Sequence, residues 1–204
     1  LMVTSYLEPV HNEQRIFEHL SAICEASSLP IVLQDHPGST GVHMSMPLVQ
    51  RLLESEPNIA CVKQEALPSP QRIAALRTFS DIPILTGLGA LYGAFELASG
   101  GNGFMTGFAF PEVLAALVDA AARDDAQELH RIYRDWLPLI VFEHQPGVGI
   151  RKELYRLRGL ITSATVRHPA GAAVQSAKDS LRATLGRVVP AGVDITQPLR
   201  REDV

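Results

Sequence analysis

The run Pro30-Ile31-Val32-Leu33-Gln34-Asp35-His36-Pro37-Gly38-Ser39-Thr40-Gly41, with Ile59-Ala60-Cys61-Val62-Lys63-Gln64-Glu65 after it, decides the fold. Each run begins as a short apolar segment rich in β-branched residues and ends in polar ones. Between them Ser45 can cap a helix that turns Leu48, Leu52 and Leu53 to one side. Short apolar runs separated by helical periodicity are the signature of βαβ units. Both faces of these strands read as apolar, as in a buried parallel sheet.

The pattern extends in both directions. Upstream, Leu1–Thr4 is predicted as a strand, and Asn12 caps a helix whose Ile16, Phe17, Leu20, Ile23 and Cys24 share a face. Downstream, Ser69-Pro70 opens a helix, with proline at the first turn where its missing N–H is harmless. Ile82–Thr86 is predicted as a strand, Ala90–Ser99 as a helix ended by Gly100-Gly101, Phe104–Thr106 as a strand and Pro111–Arg123 as a helix. Beyond Ala126 only helices follow. One is the stripe Leu129, Ile132, Tyr133, Trp136, Leu137, Ile140 and Val141, then come Gly149–Arg158 and Ala172–Leu185, before an extended tail from Val188. Residues 1–123 are therefore expected to carry five βα units, and 124–204 the helices and tail packed on them. The residues leave an open doubly wound sheet or a barrel. No G-x-G-x-x-G follows the first strand, which speaks against a dinucleotide site.

Composition excludes other classes. The net charge is -4 over 204 residues, without the basic surplus that nucleic acid requires. No stretch reaches the roughly 20 apolar residues of a membrane span, and no leader pattern opens the chain. Cys24 and Cys61 have neither metal nor disulfide spacing and read as reduced core thiols in a cytoplasmic protein.

Three lysines occur, Lys63, Lys152 and Lys178. The last two lie in polar helical stretches and read as solvated charge. Lys63 closes a buried strand, at the strand end where a parallel barrel places its active site. Burying an ammonium is unfavourable unless it is paired or gives up its proton, and a neutral lysine is a nucleophile toward carbonyls. Snorkelling to the rim, or pairing with Glu65, is the plainer reading of the same position. The loop Gln34–Gly41 offers Asp35 and His36 for acid–base work and hydroxyl and backbone donors for an anion, or it is simply a capped turn. His36 with His43 has no metal-ligand spacing. His11, His19, His130, His144 and His168 are scattered.

The two quoted runs together resemble the dihydrodipicolinate synthase / N-acetylneuraminate lyase family. There a strand ending in Tyr-Asn-x-Pro-x-x-Thr-Gly precedes one ending in a Schiff-base lysine. Val3-Thr4-Ser5-Tyr6 is similar to the end of that family's fourth strand. Ile84-Leu85-Thr86-Gly87 and Gly101–Gly107 are similar to its seventh and eighth. The resemblance implies a (β/α)8 barrel, of which this chain supplies about the last five βα units and the helical C-terminus. It implies Lys63 as the Schiff-base lysine and a pyruvate-type 2-oxo acid as substrate. No metal or organic cofactor is implied; a homo-oligomer, dimer or tetramer, is.

Two departures qualify it. Gln34 stands where the family's proton-transferring tyrosine is usual, and Ser39 where an arginine often binds a carboxylate. Proton transfer is then expected of Asp35, His36 or Tyr6, the last in a shortened loop. Gln34, Ser39, Thr40, Gly41, Gly87 and Thr106 are the expected substrate contacts. These changes weigh against dihydrodipicolinate synthesis itself, and a non-catalytic member that binds a keto acid or sugar acid is the alternative. A full barrel takes about 250 residues. The chain also opens in mid-strand, so the first three strands are expected upstream and this stretch alone is expected to be inactive.

Overall fold

The computed structural model describes residues 1–7, 11–144 and 147–204. Among these described residues five strands form one sheet: β1 (Met2–Thr4), β2 (Ile31–Asp35), β3 (Ile59–Gln64), β4 (Ile84–Thr86) and β5 (Gly103–Phe104). All neighbours are parallel and the order in the sheet is the order in the chain. That settles the architecture left open above. A doubly wound sheet reverses direction at a switch point, whereas successive βα units of a barrel each add to the same edge.

The helices follow in turn: α1 (Glu13–Glu25), the single turn α2 (Pro37–Thr40), α3 (Met46–Ser55), α4 (Ser69–Arg77), α5 (Gly93–Ala98), α6 (Pro111–Ala122), α7 (Ala126–His144), α8 (Val148–Leu157) and α9 (Gln175–Val188). Asn12 and Ser45 cap α1 and α3 as expected, accepting from the N–H groups of Arg15 at 3.1 Å and Leu48 at 3.2 Å. The chain divides into two compact units, Leu1–Gly87 with Phe95–Met105, and Leu88–Ala94 with Thr106–Val204. Helix α6, grouped with the strands in the sequence reading, lies in the second. No helix among the described residues is long and apolar enough to cross a membrane.

The first unit has its core between the sheet and its helices. Ile31, Leu33, Val62 and Ile84 from the strands meet Ile16, Leu20, Leu48, Leu52, Ile73 and Leu76. Each fully buried aliphatic chain contributes roughly 1.5–3 kcal/mol. The opposite sheet face is not apolar throughout, contrary to expectation. Thr4, Val32, Gln34, Lys63 and Leu85 there are half-buried and Met2 is exposed.

In the second unit α7 buries Leu129, Ile132, Tyr133, Trp136, Leu139 and Ile140. Leu139 takes the place expected for Val141, which is exposed. Leu88, Gly89 and Ala90 have φ of 48°, 67° and 66°. Three successive left-handed residues cannot start an α-helix, so the expected helix from Ala90 begins only at Gly93. Lys178, expected as solvated charge, is half-buried and stands 4.0 Å from the buried Glu153, while Lys152 donates to the Thr165 carbonyl.

Candidate active site

Register and pleat sort the polar residues at the strand ends into two rows. Thr4, Gln34, Lys63 and Leu85 are consecutive register partners and share one face. Asp35, Gln64 and Thr86 form the next row and point to the other face, where all three are buried.

Glu65 is the hub of the first face. Its Oε2 lies 3.1 Å from Lys63 Nζ, with the two side chains only 11% and 6% exposed. The Gln34 amide donates to the same oxygen at 2.5 Å. His36 Nδ1 stands 4.0 Å from it and 2.9 Å from the Ser39 hydroxyl. Oε1 of Glu65 packs where Gly87 leaves room, since a Cβ there would stand 1.8 Å away. The Lys63 nitrogen is thus matched by one carboxylate, and that carboxylate is steadied by a neutral amide. Such a group can accept and return a proton at the lysine. Cys61 lies on the same face, and burial pushes its thiol up and keeps it neutral. Glu65 is the residue that the expected site set omitted. Its place two residues beyond Lys63, on the same strand face, was the signal that pointed to it.

The expected site is therefore brought together in part. Lys63, Gln34, His36 and Gly87 converge on Glu65, and Ser39 joins them only through its bond to His36. Asp35 does not: it is 1% exposed on the opposite face, and Arg72 of α4 donates to its Oδ2 at 2.7 Å. Burial pushes the Asp35 carboxyl up, against the pull of Arg72. The Tyr6 ring packs edge-on against His19 at 4.4 Å between centroids. The shortened loop expected around it falls partly on residues 8–10, outside those described. Thr40 closes its own turn, its hydroxyl donating to the His36 carbonyl at 3.2 Å and accepting from Val42 N–H at 3.1 Å. Gly41 ends that turn at φ 69°, a left-handed position suited to glycine. Thr106 belongs to the second unit, where its hydroxyl accepts from Gly89 N–H at 2.8 Å. Among the described residues no group of three or more His, Cys, Asp or Glu is placed to hold a metal.

Known proteins are similar to this chain in sequence and in fold. The sequence model of the dihydrodipicolinate synthetase family matches residues 1–188. A 4-hydroxy-tetrahydrodipicolinate synthase of Chlorobium phaeovibrioides is 34% identical over 161 residues, which are 72% of this chain and 54% of that protein. An L-2-keto-3-deoxyarabonate dehydratase of Azospirillum brasilense is 30% identical over 161 residues, 77% of this chain and 52% of that one. The crystal structure of dihydrodipicolinate synthase from Rhodopseudomonas palustris superposes with a TM-score of 0.86 at 28% identity, over 91% of this chain and 65% of that one. The chain spans about half the length of the curated relatives it matches. Its fold class is that of the (β/α)8 barrels, of which it supplies five βα units.

Proposed function

The chain belongs to the dihydrodipicolinate synthetase family, and on that premise we propose that it carries the lysine half of a Schiff-base lyase acting on a 2-oxo acid. The observation that bears the reading is the nearly buried Lys63 with the Glu65 carboxylate 3.1 Å from its nitrogen. In the reaction the lysine gives a proton to Glu65 and its lone pair attacks the keto carbon. Glu65 returns the proton to the carbinol oxygen and then relays a second one from the nitrogen to that hydroxyl, so that water leaves and an iminium remains. The iminium draws electrons from the neighbouring carbon. A C–C bond can then break, or a proton can leave that carbon and a β-hydroxyl depart as water. Glu65, with His36 4.0 Å from it, takes the proton-transfer role expected of Asp35 or Tyr6, and Gln34 orients Glu65.

The substrate class follows from charge. Ser39 stands where an arginine that helps bind a substrate carboxylate is often found in the resembled synthases, and Glu65 adds negative charge. A 2-oxo acid with a neutral, hydroxylated tail suits this face better than a dicarboxylate. The similar Azospirillum protein, a dehydratase by name, supports testing the 2-keto-3-deoxy sugar acids first. Assembly as a homo-oligomer and a cytoplasmic setting remain parts of the proposal, the first open to sedimentation.

The test is reduction with borohydride in the presence of pyruvate, on the full-length protein, followed by mass analysis of the Lys63 peptide. An adduct at Lys63 is expected. No adduct with any small 2-oxo acid would sink the reading. An adduct without turnover of any aldol or dehydration substrate would favour a binding protein.

A further inference from the structure

Arg72 takes no part in the chemistry above, yet it grips both ends of the segment that carries His36. Its Nη2 donates to Asp35 Oδ2 at 2.7 Å and to the Met44 carbonyl at 2.8 Å. Asp35 immediately precedes His36, and Met44 immediately follows His43. One guanidinium therefore ties the start of residues 36–43 to their end. Both anchor points are core: Asp35 and Met44 are each 1% exposed. Between them Gly38, Ser39, Gly41 and His43 are exposed, and Val42 alone is buried. Beyond the single turn α2, a segment with so few apolar contacts depends on its ends for its placement.

We infer that the Asp35–Arg72–Met44 clamp positions His36 over the Lys63–Glu65 pair, which makes Arg72 a positioning residue for the reaction. This rests on the Schiff-base reading, because only there does the 4.0 Å between His36 Nδ1 and Glu65 matter to turnover. Arg72 does not itself receive substrate: the carboxylate it holds points to the sheet face opposite Lys63. A displacement of about 1 Å in a proton-transfer group can lower the rate on the order of 10²-fold. Releasing the clamp should act through that distance.

The experiment compares Arg72→Met, Arg72→Lys and the double variant Asp35→Asn/Arg72→Met in the full-length protein. The double variant avoids leaving a buried carboxylate without its cation, so a folding failure of the single one does not end the test. Three quantities are read: the pyruvate–borohydride adduct at Lys63, kcat and KM for a 2-oxo acid substrate, and amide hydrogen exchange over residues 36–44. The double variant should keep the adduct, exchange faster over 36–44 and lose kcat about 10- to 100-fold with little change in KM. His36→Ala should add no further loss in that background. Losses that add, unchanged kcat, or unchanged exchange would each overturn the positioning role. If the unaltered protein gives no adduct, the Schiff-base reading fails by itself. Faster exchange in the variant would then still uphold the clamp, and unchanged exchange would still overturn it.

Discussion

Glu65 occupies the space that Gly87 leaves empty, a Cβ on Gly87 falling 1.8 Å from Glu65 Oε1. The carboxylate beside Lys63 is thus placed by a residue with no side chain. Gly87→Ala should push Glu65 off the lysine and lower turnover of a 2-oxo acid on the order of 10²-fold. Thermal unfolding and the borohydride adduct report whether the fold and Lys63 persist. Full activity in this variant would show that Glu65 has no such role.

Glu65→Gln separates the shape of that residue from its charge. The amide can still accept from Gln34, but it cannot carry a proton. Turnover should fall by about 10²–10⁴. The adduct at Lys63 should still form on long incubation, because amine attack itself remains open to solvent-borne protons. Equal loss of adduct and turnover would assign Glu65 to holding the lysine and nothing more.

Glu96 offers a pH test. It is fully buried and accepts from the Ser69 hydroxyl at 2.5 Å. Burial pushes its carboxyl up despite the lowering bonds to Ser69 and Thr86, and Glu65 adds to the rise. A carboxyl raised in the folded state contributes most below the ordinary carboxylate range and loses that contribution as pH rises through its folded value. Glu96→Gln should therefore be more stable than the parent at pH about 8, with the gain fading toward pH about 4. Denaturant midpoints at the two pH values decide it. A gap of the same size at both would count against an ionised Glu96 in the parent at high pH.

In the second unit, Arg158 is 3% exposed, pairs with Glu112 at 2.7 Å and lies 4.4 Å from the Phe110 ring centroid. It also donates to the Ile195 carbonyl at 3.1 Å, tying down the tail. Arg158→Ala should cost about 1–3 kcal/mol, because buried Arg158 loses its bonds while half-buried Glu112 regains water. Proteolytic cleavage after residue 190 should accelerate. The parent should weaken in acid through the same pair. Burial raises the Glu112 carboxyl, but its bonds, led by Arg158, outweigh that and hold it low. A depressed carboxyl gives stability at neutral pH that is lost as pH falls through its folded value. That acid sensitivity should shrink in the variant.

Much of this was legible in the sequence, and what was not has physical reasons. The strand in the run from Ile59 starts at that residue in the structure, because an apolar run opening just after Pro57 admits little else. Helix α5 was misread at its start, since the left-handed turn at Leu88–Ala90 has only Gly89 to announce it. In the site, the period of two puts Glu65 beside Lys63 whatever the tertiary fold. That same period forbids Gln34 and Asp35 from facing one way, but which of them joins Lys63 depends on inter-strand register, and local sequence does not encode it. Arg72 was invisible as a partner because its role depends on where α4 crosses the end of β2.

The sequential order of the sheet has a consequence for synthesis. Each strand pairs with the one made just before it, so a chain leaving the ribosome can extend the sheet one βα unit at a time without waiting for distant segments. Lys63 and Glu65 leave the ribosome together and can meet Gln34, already laid down, before Gly87 has followed them out. The ion pair can thus form on a nascent sheet and is enclosed one unit later, when β4 docks and Gly87 closes over the carboxylate.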